Sequence, residues 1–324
     1  MLNRVITLLV LSTFLMSCAR FHHQPARPFH FLHSKSTHAP GNTPINQNVI
    51  VTSFNQVKIK GNFEVNLHTN SRQPTVIFHG DPRDLAHVKW FVTHNELMIE
   101  AEKDYPKYGH VYIDISSRYL RSFVYQGSGA IAGQYLYSKS LDLYIKNNGN
   151  TTLDGQLVLH RAAFGGKGYT KIKGIQTSAM QLSLSDNAHV QLSGVADVST
   201  INMKGHSWLS LYWVKGNMLK LRLKESARVQ LAGTVGFFDA ALRDDARFNG
   251  RYLRARRAFV KTEDRSEADI NVVEAQHTLA TGTSNIYFYD LPDMKADFMA
   301  ENGSVLDLRE WERPFMKEPT RYNR

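Results

Sequence analysis

From Asn48 onward the chain alternates apolar and polar residues in short runs. Val49-Ile50-Val51, Val57-Lys58-Ile59, Phe63-Glu64-Val65-Asn66-Leu67 and Val76-Ile77-Phe78 open the series. Leu97-Met98-Ile99, Val111-Tyr112-Ile113-Asp114-Ile115 and Phe123-Val124-Tyr125 continue it. A period of two puts every apolar side chain on one face, which predicts strands with a single buried side. Only Asp81 to Lys89 suits a helical turn.

Further along, the alternation itself repeats. Ala188-His189-Val190-Gln191-Leu192-Ser193-Gly194 matches Ala227-Arg228-Val229-Gln230-Leu231-Ala232-Gly233. The small residue that opens this unit recurs at Gly127, Gly149, Gly168, Ala188, Ser207, Ala227, Ala246, Ala268, Ser284 and Ser304, mostly 19 or 20 residues apart. Four positions later stand Ile131, Leu153, Ile172, Leu192, Leu211, Leu231, Val272, Phe288 and Leu308, with Gly250 as the one gap. Four positions earlier stand Phe123, Ile145, Phe164, Leu184, Met203, Leu223 and Leu242. Such columns predict a coil that returns to the same place on each turn, so that equivalent side chains stack at the strand spacing of about 4.8 Å. One coil cannot bury its own apolar face, whereas a stack makes a continuous core. An antiparallel sandwich has no reason to hold residue type in register over so many units. Leu192, Leu211 and Leu231 should therefore lie buried in one column.

The ends of the chain read differently. Residues 1–17 pair a positive Arg4 with an apolar run from Val5 to Leu15, too short to span a bilayer. They fit an export signal. Leu15-Met16-Ser17-Cys18 follows and looks like a bacterial lipobox, with Cys18 as the lipidated residue. Cys18 is the only cysteine, so no intramolecular disulfide can form. Ala19 after it implies, by the sorting rule of Gram-negative lipoproteins, the outer membrane. Residues 18–47 are rich in His and Pro and read as a flexible linker. Residues 48–310 form the repetitive body, and 311–324 are a polar tail. The net charge is +10, and removing the signal with Arg4 leaves +9. That sign suits anionic membranes or polyanions. No nucleic-acid reader motif accompanies it, and export argues against nucleic acid.

One block is more specific. Phe54, Val57, Ile59, Gly61, Phe63, Val65 and Leu67 are followed by Gly80-Asp81, Leu85, Val88, Leu97, Ile99 and Gly127-Ser128-Gly129-Ala130-Ile131. In these residues the sequence resembles the head GIN domain of auto-transporter adhesins, a bacterial envelope family also classed as a domain of unknown function. The likeness covers about residues 48–290. It implies a right-handed parallel β-helix with a β-rich N-terminal part, often behind a lipoprotein signal. It brings no catalytic residues and no cofactor.

Several constellations bear on chemistry. Gly205-His206-Ser207-Trp208-Leu209 begins like a nucleophile elbow but lacks the closing glycine, and Ser207 holds the repeat position of Ala188 and Ala227. Gly165-Gly166-Lys167-Gly168 lacks the spacing of a phosphate loop and suits a turn. Glu225, Asp244 with Asp245, and Glu263 with Asp264 fall near one turn of successive coils. They suit either a ladder of ion pairs or a Ca²⁺ or acid–base site. Lys204, Lys224, Arg243 and Lys261 recur at coil intervals, and Arg251, Arg254, Arg256 and Arg257 cluster in a longer coil. These eight are the candidate anion-binding residues, and Arg228 and Arg247 stand at equivalent outward positions. Trp208, Trp213, Tyr212 and Tyr169 are aromatics able to face outward. In the linker, His22, His23, His30 and His33 are weak metal candidates, because no carboxylate or thiolate fixes a geometry.

The combined reading is a non-enzymatic, lipid-anchored envelope protein that is adhesin-like or a scaffold. Its basic solenoid edge would bind an anionic polysaccharide, lipopolysaccharide phosphate or a lipid head group. A polysaccharide-active β-helix enzyme and a structural partner of another envelope protein are the alternatives. Cys18→Ala should abolish acylation and move the protein out of the membrane fraction. Wild-type protein without lipid by mass spectrometry, together with a membrane-bound mutant, would remove the lipoprotein assignment.

Overall fold

The expected alternation becomes strand nearly everywhere in a computed structural model, which describes residues 43–289 and 294–307. The early strands are β1 (Ile45–Ile50), β2 (Gln56–Lys60), β3 (Phe63–His68) and β4 (Thr75–Gly80). After the four-residue helix α1 (Pro82–Leu85) come β5 (Val88–Thr93), β6 (Glu96–Ala101), β7 (Val111–Ser116) and β8 (Ser122–Gly127). The helix falls within the Asp81–Lys89 stretch, with the Asp81 side chain capping its N-terminus. Then the strands lengthen to whole coils: β9 (Ile131–Asn147), β10 (Thr151–Gly165), β11 (Tyr169–Leu184) and β12 (His189–Met203). β13 (Trp208–Leu223), β14 (Arg228–Leu242), β15 (Arg247–Thr262) and β16 (Glu267–Thr281) follow. Shorter strands β17 (Asn285–Tyr289), β18 (Lys295–Glu301) and β19 (Ser304–Asp307) end the described chain.

From β8 to β19 each coil pairs in parallel with the next, giving a β-solenoid of about 9 turns in all. Each long strand bends at two corners where successive side chains both point away from the core, so a coil has three flat segments. In β12 these are 189–193, 195–198 and 200–203. Their inward residues stack in register. Leu192, Leu211 and Leu231 are paired coil to coil and fully buried, as the repeat requires.

Elsewhere the register corrects the columns read from sequence. Gly149 stands opposite Gly129 rather than Gly127, because Thr151 pairs with Ile131. Ala246 is followed in its column by Ser266, not Ala268, since Phe248 pairs with Ala268. Ile270, not Val272, continues the leucine column into Phe288. Leu153 pairs with Gly133, not Ile131, and Tyr125, not Phe123, stands against Ile145. These are all shifts by two residues, which leave a side chain on the same face. Ser304 is one residue out, because it pairs with Asn285. The gap at Gly250 is filled from within its own coil: a Cβ there would lie 2.3 Å from the Phe248 ring, which packs on Phe238 at 5.0 Å between centroids.

The N-terminal part belongs to the same stack but joins it out of order. β2 lies between β6 and β8, and β3 between β7 and β9, all parallel. The first coil in sequence is thus enclosed by later ones. At the outer end β1, β4 and β7 pair antiparallel, as do β5 and β6, so the stack does not end in a bare parallel edge. β1 begins at Ile45, within the segment read as linker up to residue 47. The motif glycines serve this junction. A Cβ on Gly129 would sit 1.9 Å from the Phe63 carbonyl oxygen, while the buried Tyr125 hydroxyl donates to that carbonyl at 3.0 Å and accepts from the Gly129 N–H at 2.9 Å. Burial raises the Tyr125 pKa, since the phenolate would lose its water.

The Gly250 arrangement yields a test. Gly250→Ala should cost about 1–3 kcal/mol, the usual range for overpacking. Adding Phe248→Leu should recover part of that loss. Strict additivity of the two changes in a denaturation double-mutant cycle would show that the ring does not occupy the glycine's space.

Candidate functional site

Every coil turns back through a tight turn after its third segment, and the candidate acids sit in these turns. From the turn after β10 onward one residue in each is left-handed: Gly166, Asp186, Gly205, Glu225, Asp244, Asp264, Gly282 and Asn302, with φ between 59° and 89°. Gly, Asn and Asp tolerate this region best. The aspartates add a second contact. Asp186 accepts from the Gly166 N–H at 3.0 Å, Asp244 from Glu225 at 2.8 Å, and Asp264 from Asp244 at 3.1 Å. Each carboxylate thus caps the turn of the preceding coil. Asp245 forms a two-pronged pair with Arg265 at 2.7 and 2.8 Å, whose hydrogen bonds hold the Asp245 pKa below the ordinary carboxylate value. That contribution is present at neutral pH and fades as pH falls through the lowered value. Asp186, Asp244 and Asp264 are therefore caps on the turns, and Asp245 and Glu263 carry ion pairs; no group of three metal-type ligands occurs among the described residues.

The two motif look-alikes are turns as well. Ser207 is buried and donates to the Lys204 carbonyl at 2.9 Å. Gly166 supplies the left-handed residue of the Gly165–Gly168 turn.

The basic residues divide into two groups. Lys204, Lys224 and Arg243 stack at one turn position, but the next member of that column is Glu263. Lys261 pairs instead with Ala241 in the neighbouring column, so the expected four-cation row is broken. Glu263 then binds both Arg243 at 2.8 Å and Lys261 at 2.5 Å. Arg251 pairs with Asp269 at 3.3 Å, and Arg256 and Arg257 share Glu274 at 3.6 and 3.3 Å. Lys204, Lys224 and Arg254 make no ion pair among the described residues. Cys18 and the linker histidines His22, His23, His30 and His33 lie outside the described residues.

Lys204 and Lys224 border a groove of about 730 Å³ on the outer face of the third segments. Its floor is low because Ala163, Gly165, Ser183 and Ser185 are small. Tyr144 and Lys146 stand at one end and Arg222, Lys204 and Lys224 at the other. Register places Val124, Tyr144, Ala163, Ser183, Asn202 and Arg222 in one row across successive coils. Arg222 is pinned by Asp239 at 2.7 Å, and Lys146 stands 3.9 Å from Asp186. The groove therefore offers its free positive charge through two lysines on adjacent coils.

The aromatics form two further features. Tyr169, His189, Trp208, Arg228 and Arg247 make one outward row on the first segments, which puts Arg228 and Arg247 opposite each other as expected. Trp213 and Tyr212 stand at the next corner, beside a second groove of about 560 Å³. The groove at the lysines was legible only in part: their spacing was visible, but not the run of small residues that hollows the surface beside them.

Comparison with known proteins bears on this architecture. The family model described as "Putative auto-transporter adhesin, head GIN domain" matches residues 53–207 and again 154–292. No curated protein matches the sequence. Among solved structures, a putative adhesin from Parabacteroides merdae shares 14% identity, covering 82% of this chain and 96% of that one, with a TM-score of 0.47. A putative lipid binding protein from Parabacteroides distasonis shares 14% identity over 84% and 99%, at a TM-score of 0.41. A putative adhesin from the same species shares 12% over 82% and 97%, at 0.45.

The turn ladder is testable. Asp264→Asn should be nearly neutral, because asparagine tolerates the left-handed region and its carbonyl can still accept. Asp264→Ala should cost about 1–3 kcal/mol, losing the acceptor for the Asp244 N–H. A Ca²⁺-dependent rise in the wild-type Tm, absent from Asp264→Asn, would restore the metal reading.

Proposed function

The chain belongs to the head GIN domain family, and from that premise we propose that it is an exported, lipid-anchored envelope protein with an adhesin-like, non-enzymatic role. We infer further that the groove on the third segments binds anionic groups, phosphate or carboxylate, of an envelope polymer or lipid head group. The observation that carries this reading is the contrast in charge pairing. Arg243, Lys261, Arg251, Arg256 and Arg257 meet acids, whereas Lys204 and Lys224 point their charge along a hollowed surface without one. Stacked like charges repel at this spacing, so leaving two unpaired beside a groove favours an anionic partner. The acids support a binding role rather than hydrolysis, because backbone amides and guanidinium groups already occupy the carboxylates of the turn ladder. The anchor proposed is the lipid on Cys18, which rests on the Leu15-Met16-Ser17-Cys18 motif; among the described residues no helix is long and apolar enough to cross a membrane. More than one acyl chain is needed for stable anchoring.

Lys204→Gln with Lys224→Gln should leave the Tm nearly unchanged, because exposed charges add little to stability. It should weaken retention on immobilised lipopolysaccharide severalfold at low salt and flatten the salt dependence, since screening acts over about 8 Å at physiological ionic strength. Arg243→Gln, whose partner is Glu263, should change retention far less. Unchanged binding by the double mutant would locate the anion site elsewhere.

A further inference from the structure

The corner between first and second segments carries one residue of positive φ in six successive coils: Tyr135, Gly155, Gly174, Gly194, Trp213 and Gly233. Glycine takes this conformation freely, and a bulky aromatic residue takes it only under strain. Four coils obey that rule. Tyr135 and Trp213 break it, with φ 54° and 69° at 88% and 53% exposure, so neither ring is held there by burial; Trp213 differs in lining a groove beside exposed cations. Residues strained without packing benefit concentrate where a side chain must be presented.

What the ring faces supports this. The neighbouring coil contributes Ala232, Gly233 and Thr234, leaving a slot between Trp213 on β13 and the wall of β15. Two coil spacings, about 10 Å, separate the backbones on either side. The far wall holds Arg251, Tyr252 and Arg254, raised by extra residues: Asn249 pairs with Asp269 and Arg254 with Asn271, so five steps along β15 match two along β16. Lys215 lies on the near side. Arg251 is committed to Asp269 and stacks 5.0 Å over the Tyr289 ring, but Arg254 is exposed and has no ion-pair partner among the described residues. Asn271 lines the slot, donates to the Arg251 carbonyl at 3.2 Å, and has its own Oδ1 buried without a hydrogen-bond partner.

We propose that this corner slot is a binding site for an acidic saccharide, with a pyranose ring stacked on Trp213 and its carboxylate, sulfate or phosphate held by Arg254 and Lys215. An aromatic face and flanking cations match two surfaces of such a sugar, its apolar C–H face and its anionic substituent. The site is separate from the Lys204 and Lys224 groove, and its residues do not depend on that reading.

The test uses the purified protein and a set of acidic oligosaccharides bearing carboxylate, sulfate or phosphate, with their neutral counterparts. Binding is read by tryptophan fluorescence and calorimetry. At least one acidic member should bind the wild type and its neutral counterpart should bind much more weakly. Trp213→Gly installs the residue other coils use, so it should keep or raise the Tm while reducing affinity at least tenfold. Trp213→Phe should retain most of the affinity, and Arg254→Gln should lower affinity severalfold and weaken its salt dependence. Tyr135→Gly, at an equally left-handed corner outside the slot, should leave binding unchanged; Lys204→Gln with Lys224→Gln should also leave it unchanged. No binding by any acidic member, wild-type affinity in Trp213→Gly, or a clearly lowered Tm in that variant would overturn the proposal. The last result would make Trp213 a packing residue.

Discussion

From β10 onward the structure depends on one left-handed residue in the turn that closes each coil. A parallel solenoid must bring its chain back to the same height plus one strand spacing, and a tight reversal does this in a few residues. In these coils a positive φ at the second turn position makes the reversal that short, while the earlier turn at 148–150 closes without one. Once the turn is fixed, the backbone amides of each coil meet the carbonyls of the one before, and the inward side chains must align in columns. The aspartates at Asp186, Asp244 and Asp264 show how closely the side-chain chemistry follows that constraint. They tolerate the strained conformation and also satisfy a backbone N–H one coil away.

Strict stacking then governs the surface. Any charge placed at a repeat position faces its counterpart one strand spacing away, so a run of like charges is unstable unless acids interrupt it. Glu263 breaks the column of Lys204, Lys224 and Arg243 and binds two cations at once. Asp245 with Arg265, and Glu274 between Arg256 and Arg257, do the same elsewhere. Against that background Lys204 and Lys224, stacked on each other without an acid between them, mark a place where repulsion is not resolved within the fold.

Much of this architecture was legible in the sequence, because stacking holds residue type in register. The leucine column through Leu192, Leu211 and Leu231 needed only the repeat and the alternation. The slips have a common physical origin. Moving a strand by two residues returns every side chain to the same face, so burial cannot distinguish Ile270 from Val272, or Gly129 from Gly127. The same ambiguity placed Lys261 in a column that belongs to Glu263. The insertion of β2 and β3 between later coils was not legible at all, since it follows from long-range pairing rather than local pattern. Nor was the strain at Trp213, where composition suggests only an outward ring; the backbone angle is what sets it apart from Gly194 and Gly233.

These departures bear on how a repetitive fold becomes specific. A perfect repeat presents the same surface at every level and can bind only through many equal, weak contacts. Selectivity requires the period to be broken without unstacking the coils. Here the breaks are of two kinds. Small residues at Ala163, Gly165, Ser183 and Ser185 hollow the third face without altering the backbone register. Trp213 and the enlarged corner of β15 alter the backbone itself, but only at a corner, where pairing is already interrupted by a register shift. Corners are therefore the positions at which this fold can accept a bulky or strained residue at least cost to its ladder. That is why both departures there involve side chains presented to solvent, while the buried column beneath Trp213 continues through Leu211 and Leu231 and the one beneath β15 is made good at Gly250 by the Phe248 ring.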